Sequence, residues 1–103
     1  MKAWRQMGLW CFKVHGSEYQ PAGIPDICGV AMGISVWCET KMPGNKPSKI
    51  QKYRMNALLD AGAFVVVAYS VEDAVQMIEH IETSDCTHML NQCAYRTKFD
   101  LDA

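Results

Sequence analysis

The stretch Ala-Phe-Val-Val-Val-Ala-Tyr at residues 63–69 decides the fold class of this chain. It is apolar on both faces, which is typical of a central strand covered by other elements on both sides. Helical spacing of apolar residues precedes it, from Pro47 to a stop at Gly62. A second helix follows it, with Ser70 and Asp73 as a capping box. The sequence therefore predicts a helix–strand–helix unit in an α/β domain.

Three shorter strands are predicted before this unit. They cover Leu9 to Val14, Ile24 to Val30 and Ile34 to Lys41, and residues 1–7 are consistent with the last turns of a helix that stops near Gly8. Met32-Gly33 is the only turn between the last two strands, so these should form a hairpin. The predicted order is a partial helix, three strands, a helix, a strand and a helix. This order indicates a small α/β domain with a mixed central sheet flanked by helices.

Composition limits the class of protein. The chain has 103 residues, of which 50% are hydrophobic and 20% charged, so we expect one globular domain. Its longest apolar run is too short to span a bilayer, and residues 1–6 lack the apolar core of a signal peptide. We therefore expect a soluble cytoplasmic protein that does not contact a membrane. The formal net charge of −1 argues against a protein that coats polyanions generally, but a local basic patch can still bind nucleic acid.

Basic residues cluster in one segment, with no acid between Glu39 and Asp60. The cluster consists of Lys41, Lys46, Lys49, Lys52 and Arg54. A solvated helix face explains such a cluster in many domains. Here it starts at a candidate site lysine, which favours contacts with phosphate groups.

The five cysteines do not form a predicted disulfide framework, because their number is odd and most lie in apolar runs. Cys11, Cys28 and Cys38 are most simply small core residues. Cys86, His88 and Cys93 offer three soft ligands, but their spacing matches no standard zinc pattern and a fourth ligand is not evident. Residues 83–103 are therefore read as a C-terminal tail of unknown role.

Two carboxylates and a lysine form the pattern with the most specific chemistry in this chain. Asp26 follows Pro25 near the start of the predicted strand Ile24 to Val30, and Glu39 and Lys41 share a face of the next strand. Taken singly, Asp26 is a common turn residue, and Glu39 with Lys41 a surface ion pair. Together at one sheet end, two carboxylates suit Mg²⁺ or Mn²⁺. The lysine would orient the attacking water and stabilise developing negative charge. The pattern thus indicates a minimal metal-dependent phosphodiesterase site.

These residues and their order resemble the PD-(D/E)xK nuclease superfamily, and more narrowly its VRR-NUC (virus-type replication-repair nuclease) family. The resemblance covers roughly residues 9–82. It rests on Lys13-x-His15-Gly16, Gly23-Ile-Pro-Asp-Ile27, Glu39-Thr-Lys-Met-Pro43, Gly44-x-Lys46-Pro-Ser48 and Gln51. A lone Glu-x-Lys occurs by chance in many proteins, whereas this ordered set is specific.

The resemblance implies a restriction-endonuclease-like core of αβββαβα order with a truncated first helix. It places a VRR-NUC nuclease domain at residues 1–82, in a short stand-alone form similar to the phage type, which would act in the host cytoplasm. The implied function is a Mg²⁺- or Mn²⁺-dependent DNA endonuclease that hydrolyses phosphodiester bonds. The implied substrate is branched or structured DNA resembling a Holliday junction, bound by a homodimer.

The resemblance also assigns individual residues. The metal ligands would be Asp26, Glu39 and the backbone carbonyl of Thr40, and the catalytic set would be Asp26, Glu39, Lys41 and Gln51. Gln51 would hydrogen-bond the Lys41 region or a phosphate. Contacts to the DNA backbone would come from Lys13, His15, Lys46, Lys49 and Lys52.

One departure from the family weakens the catalytic reading. Family members usually carry a glutamate on the first helix that contributes to the metal site, and residues 1–8 contain no acid. Glu18 is the nearest acid before Asp26. The alternative is a catalytically impaired DNA-binding or assembly module that retains the fold. A sequence-specific restriction enzyme ranks last, because few loop residues remain to read bases.

Overall fold

The computed structural model of this chain describes residues 1–14, 22–83 and 94–102. The helices are α1 (Lys2–Gln6), α2 (Lys49–Asp60) and α3 (Val71–Thr83), with a short 3₁₀ turn at Ala94–Arg96. The strands are β1 (Trp10–Lys13), β2 (Ile27–Ala31), β3 (Ile34–Thr40) and β4 (Phe64–Ala68). The predicted order of elements and the predicted α/β class are confirmed.

The four strands form one mixed sheet in the order β1-β2-β3-β4. The first three strands are antiparallel neighbours, and β4 runs parallel to β3 after the crossover through α2. Met32 and Gly33 have φ angles of 52° and 79°, and Ala31 pairs with Ile34 across them. A two-residue turn with positive φ at both positions fits the right-handed twist of the strands. The predicted hairpin is therefore confirmed.

Each face of the sheet has its own helices. On one face Val36, Cys38 and Phe64 pack in a cluster with Trp4 of α1 and Ile78 of α3, and all five are buried. On the other face, Met55 and Leu59 of α2 pack on Val65, with Trp37 and Phe99 beside them. This division confirms the alternation predicted for β3.

The apolar strand β4 lies at an edge of the described sheet, so its predicted central position is wrong. Its continuous apolar sequence reflects cover on both faces, since Val65 contributes to one cluster and Phe64 and Val66 to the other. Periodicity reports the cover above and below a strand. It carries no information about the neighbours in the plane of the sheet.

β2 begins at Ile27, three residues later than predicted. Pro25 has no backbone N–H to donate to the ladder, and its side chain is fully buried. The backbone N–H of Val14 still donates to the carbonyl of Asp26, over 2.7 Å, so that pairing continues one step past the strand. Asp26 consequently lies at the end of the sheet where β2 begins.

Residues 94–102 pack onto the domain although their sequence carries little periodic signal. The side-chain amide of Asn56 exchanges two hydrogen bonds with the backbone of Phe99, at 3.0 and 2.7 Å. The guanidinium of Arg96 donates to the carbonyls of Leu59 and Ala63, each at 2.6 Å. The division of the chain after residue 82 stays a prediction, but this last segment contributes to the packing beside α2.

Cys11, Cys28 and Cys38 are buried free thiols, as their apolar contexts predict. Cys86, His88 and Cys93 lie outside the described residues, so the question of a zinc site there stays open. Among the helices described, none has the length and apolar character needed to cross a membrane.

Candidate functional site

Asp26 and Glu39 meet at the end of the β2–β3 ladder. Ile27 pairs with Cys38, so one further step of the antiparallel register sets Asp26 opposite Glu39. Opposed residues in an antiparallel pair have neighbouring side chains. Thr40, the residue after Glu39, also holds Asp26 in place. Oδ2 of Asp26 accepts one hydrogen bond from the backbone N–H of Thr40 at 2.8 Å and another from the Thr40 hydroxyl at 2.5 Å. The predicted pair of carboxylates is therefore brought together.

Glu39 is a buried carboxylate, only 3% exposed. Its Oε1 accepts a hydrogen bond from the side-chain amide of Gln51 at 3.2 Å and lies 3.8 Å from the ammonium of Lys41. Its Oε2 is buried and has no hydrogen-bond partner among the residues that the structure describes. An unsatisfied buried carboxylate oxygen is rare and costly in a stable protein. A cation bound at this oxygen would supply the missing partner.

The electrostatics of the site oppose the ionised form of Glu39. Burial raises the pKa of the Glu39 carboxyl to about 7, the neighbouring charge of Asp26 adds to the rise, and Lys41 offsets it only in part. A single ammonium therefore does not balance the two carboxylates. A divalent cation between them would favour both ionised forms at neutral pH.

Gln51 is oriented by the first turn of α2. The Ser48 hydroxyl accepts from the backbone N–H of Gln51 at 3.3 Å, and Oε1 of Gln51 accepts from the backbone N–H of Ser48 at 2.8 Å. This reciprocal capping box fixes the amide so that its NH₂ group donates to Glu39. Apolar spacing alone predicts a helix from Pro47, whereas the Ser-x-x-Gln spacing of residues 48–51 is typical of the capping box that sets the observed start.

The loop that carries Asp26 is docked directly on α2. Gly23 has a φ of +84°, and a Cβ built there would lie 2.7 Å from the carbonyl oxygen of Ile50. Nε of Arg54 donates to the Ala22 carbonyl at 3.0 Å. Only glycine permits both this backbone conformation and this close approach. The Gly-Ile-Pro-Asp segment thus places Asp26 and the first turn of α2 in one rigid arrangement.

Four of the five candidate DNA-binding residues are among the described residues. Lys13 is exposed at the end of β1, paired with Ile27 and hence at the same sheet end as Asp26. Lys46 and Lys49 are exposed in the approach to α2 and at its first residue. Lys52 instead donates from its ammonium to the carbonyl of Asp100 at 3.1 Å. His15 lies outside the described residues.

The donor set that the structure brings together contains two carboxylates, from Asp26 and Glu39, next to the backbone of Thr40. Oxygen ligands of this kind suit Mg²⁺ and Mn²⁺, which usually keep several waters and need few protein carboxylates. Over residues 1–14, 22–83 and 94–102, no cluster of three or more His, Cys, Asp or Glu side chains is arranged to hold a metal. Glu18, the acid nearest in sequence, is outside these ranges. The residues fit a metal with an incomplete protein ligand shell.

Comparison with known proteins leaves the family of this chain open. The sequence matches no protein-family model and no curated protein. The likeness to VRR-NUC domains therefore stays a prediction carried by the quoted motifs.

Proposed function

We propose that this protein is a divalent-metal-dependent DNA endonuclease that hydrolyses phosphodiester bonds. The observation that carries the proposal is Glu39, a buried carboxylate opposite Asp26 and beside Lys41, one of whose oxygens has no partner within residues 1–14, 22–83 and 94–102. Leaving a buried carboxylate oxygen without a partner is costly, and a bound cation would satisfy it. A site that binds a cation would keep such an oxygen free as a ligand for the metal.

The implied cofactor is Mg²⁺ or Mn²⁺, held by the carboxylates of Asp26 and Glu39 and by the backbone carbonyl of Thr40. When bound, such an ion polarises a phosphoryl oxygen and lowers the pKa of a coordinated water. The hydroxyl and N–H of Thr40 keep the Asp26 carboxylate in place. Gln51 does the same for Glu39 through one oxygen and leaves the other oxygen for the ion.

Lys41 supplies the positive charge of the protein at this site. Its ammonium lies 3.8 Å from Oε1 of Glu39, and its side chain is 19% exposed, so it is accessible to a phosphate from outside. In that position it orients the attacking water and stabilises the charge that develops on the phosphate. The arrangement acts on the phosphodiester and reads no base.

The DNA backbone would be held by the exposed lysines Lys13, Lys46 and Lys49 and by His15. Lys52 is a weaker candidate than the sequence suggests, because its ammonium already binds the carbonyl of Asp100. The preference for branched or structured DNA is taken from the VRR-NUC resemblance. Two observations support the finer fold assignment to a PD-(D/E)xK core. The order of elements is the one that the resemblance implies, and the candidate site lies at the open end of the β2–β3 hairpin, just before the chain enters α2.

The direct test is cleavage of a labelled four-way junction, a hairpin and a linear duplex with Mg²⁺, Mn²⁺ or Ca²⁺. Wild type should cleave with Mg²⁺ or Mn²⁺, and Asp26→Asn, Glu39→Gln and Lys41→Ala should each lose at least about a hundredfold in rate. Glu79→Gln and Lys98→Ala, which change exposed residues away from the site, serve as matched controls. Cleavage that survives Glu39→Gln unchanged would remove the proposal.

A second candidate function is a non-catalytic DNA-binding or assembly module. The observation that favours it is the lack of any acid at residues 1–8, together with the lack of a third acid near Asp26 and Glu39 among the described residues. This reading predicts binding of the same DNAs without cleavage in any metal. It also predicts that Glu39→Gln leaves DNA affinity unchanged.

A further inference from the structure

A cavity of about 490 Å³ opens between α1, the start of α3 and the ends of β3 and β4. It lies on the sheet face opposite α2, with Ile27, Cys38 and Ala68 among its lining residues. Its size is within the range of roughly 300–1,000 Å³ that small-molecule sites occupy. Asp26 and Glu39 are not among the residues that line it.

The cavity touches the candidate site through two neighbouring residues. Thr40 lines it while donating to Asp26 from its N–H and hydroxyl. Lys41 lines it while its ammonium lies 3.8 Å from Glu39. The cavity therefore adjoins the end of β3 that carries the candidate site.

The surface that lines the cavity is mostly apolar and carries positively charged side chains. Trp4, Val71 and Ala74 supply apolar surface, and Lys2 and Lys41 are the charged side chains among the described lining residues, none of which is an acid. The indole N–H of Trp4 is already bonded to the carbonyl of Ala74 at 3.1 Å, so the Trp4 ring adds no unsatisfied donor. Such a lining complements a ligand that joins a flat apolar group to an anion.

We propose that this cavity binds one unpaired nucleotide of the DNA strand, with its base between α1 and α3 and its phosphate at Lys2, next to the end of β3 that carries Lys41. The proposal rests on the proposed nuclease function, since it gives that site its substrate preference. A base must leave the helical stack to enter such a cavity. Unstacking costs least where the base is already unpaired, so the cavity favours branched, flapped or single-stranded DNA over an intact duplex.

The test uses deoxyadenosine monophosphate and the full chain without metal. Binding is followed by NMR through the indole N–H of Trp4, which is assigned with Trp10→Phe and Trp37→Phe variants. Deoxyadenosine and inorganic phosphate, titrated separately, show whether base and phosphate are both needed. We expect the nucleotide to shift the Trp4 signal at millimolar concentration or below, and each half alone to bind at least about tenfold more weakly.

Variants locate the binding in the cavity. Ala3→Phe, on its α1 wall, should lower nucleotide affinity at least about tenfold by occupying the space, and Lys2→Gln about three- to fivefold by removing a charge. Ala57→Phe and Arg5→Gln are the matched controls, because neither residue lines the cavity and both are exposed. Correct folding of Ala3→Phe is checked by its thermal unfolding and amide spectrum.

Three outcomes would overturn the proposal. One is no shift of Trp4 with the nucleotide, another is equal affinity for inorganic phosphate alone, and the third is equal loss in the control variants. None of these bears on the nuclease proposal, which is decided by metal-dependent cleavage and its loss in Glu39→Gln. Cleavage with an intact duplex as the preferred substrate would count against the cavity and leave the nuclease standing.

Discussion

Glu39 combines burial, a neighbouring carboxylate and a free oxygen in one side chain. Burial raises its pKa to about 7, and Asp26 contributes to the rise. The unfolded chain exposes the same group to water, where its pKa is near the ordinary value of 4.5. The native protein therefore holds a proton on Glu39 over a pH range in which the unfolded chain has lost it.

This difference predicts the pH dependence of stability in metal-free protein. The contribution of Glu39 to the free energy of unfolding is fully present below about pH 4.5. It is lost as the pH rises to about 7, because only the native state binds the proton in that interval. The full loss of unfolding free energy amounts to about 3 kcal/mol at most. Denaturant unfolding of wild type and Glu39→Gln at pH 5 and pH 8 measures it, and the other carboxylates cancel in the comparison. Equal pH dependence in the two proteins would show that Glu39 does not titrate in this range.

The contact between α2 and the loop before β2 is the element-scale feature that builds the site. Gly23 lies against the backbone of Ile50, and the capping box of Ser48 and Gln51 sits in the same turn. Asp26 and Gln51 therefore come from segments that are far apart in sequence but share one packed contact. The position of this loop therefore decides whether Asp26 lies close to Glu39 and Gln51.

Two glycines with similar backbone conformations test this contact. Gly23 and Gly8 have φ angles of +84° and +90°, but only at Gly23 does an added Cβ meet other atoms. Gly8→Ala should cost about 1–2 kcal/mol from backbone strain alone. Gly23→Ala should cost roughly 2 kcal/mol more, since the carbonyl of Ile50 has to move, and should also weaken metal binding. Equal losses of unfolding free energy in the two variants would show that the loop does not depend on this close approach.

Local chemistry was readable from the sequence, and non-local contacts were not. Met32-Gly33 and the placement of Asp26 opposite Glu39 follow from turn residues and from period-two alternation. The edge position of β4, the docking of Gly23 and the packing of Phe99 against Asn56 depend on contacts between distant segments. No residue type or spacing encodes these directly. The bond from Lys52 to Asp100, which changes the role expected for Lys52, belongs to the same class.

At the scale of the whole molecule, β1 is an edge strand of the sheet that the described residues form, and its apolar side chains are exposed on one face. Trp10 and Phe12 are 69% and 42% exposed, and their rings meet at 5.3 Å. Val30, which pairs with Trp10, is 46% exposed. A cluster of exposed apolar side chains often marks a contact with another chain, and two copies related by a two-fold axis would bury the same cluster on both. We propose that a second copy of this chain covers this face, which gives the two sites that a branched DNA needs.

A charged residue on this face tests the dimer. Trp10→Glu should shift the protein from dimer to monomer in sedimentation at micromolar concentration, with little change in the stability of each copy, because Trp10 is mostly exposed. Tyr53→Glu, at a side chain 54% exposed on α2, is the matched control and should leave the dimer intact. A wild-type protein that sediments as a monomer would contradict the two-fold arrangement.

The central claim is that Asp26 and Glu39 together hold a divalent cation. It is tested most directly by titrating Mn²⁺ into the protein at neutral pH and following the free ion by electron paramagnetic resonance. We predict saturable binding to wild type, and a loss of at least about tenfold in affinity in both Asp26→Asn and Glu39→Gln. The absence of saturable binding at millimolar Mn²⁺, or equal binding by wild type and both variants, would contradict the claim.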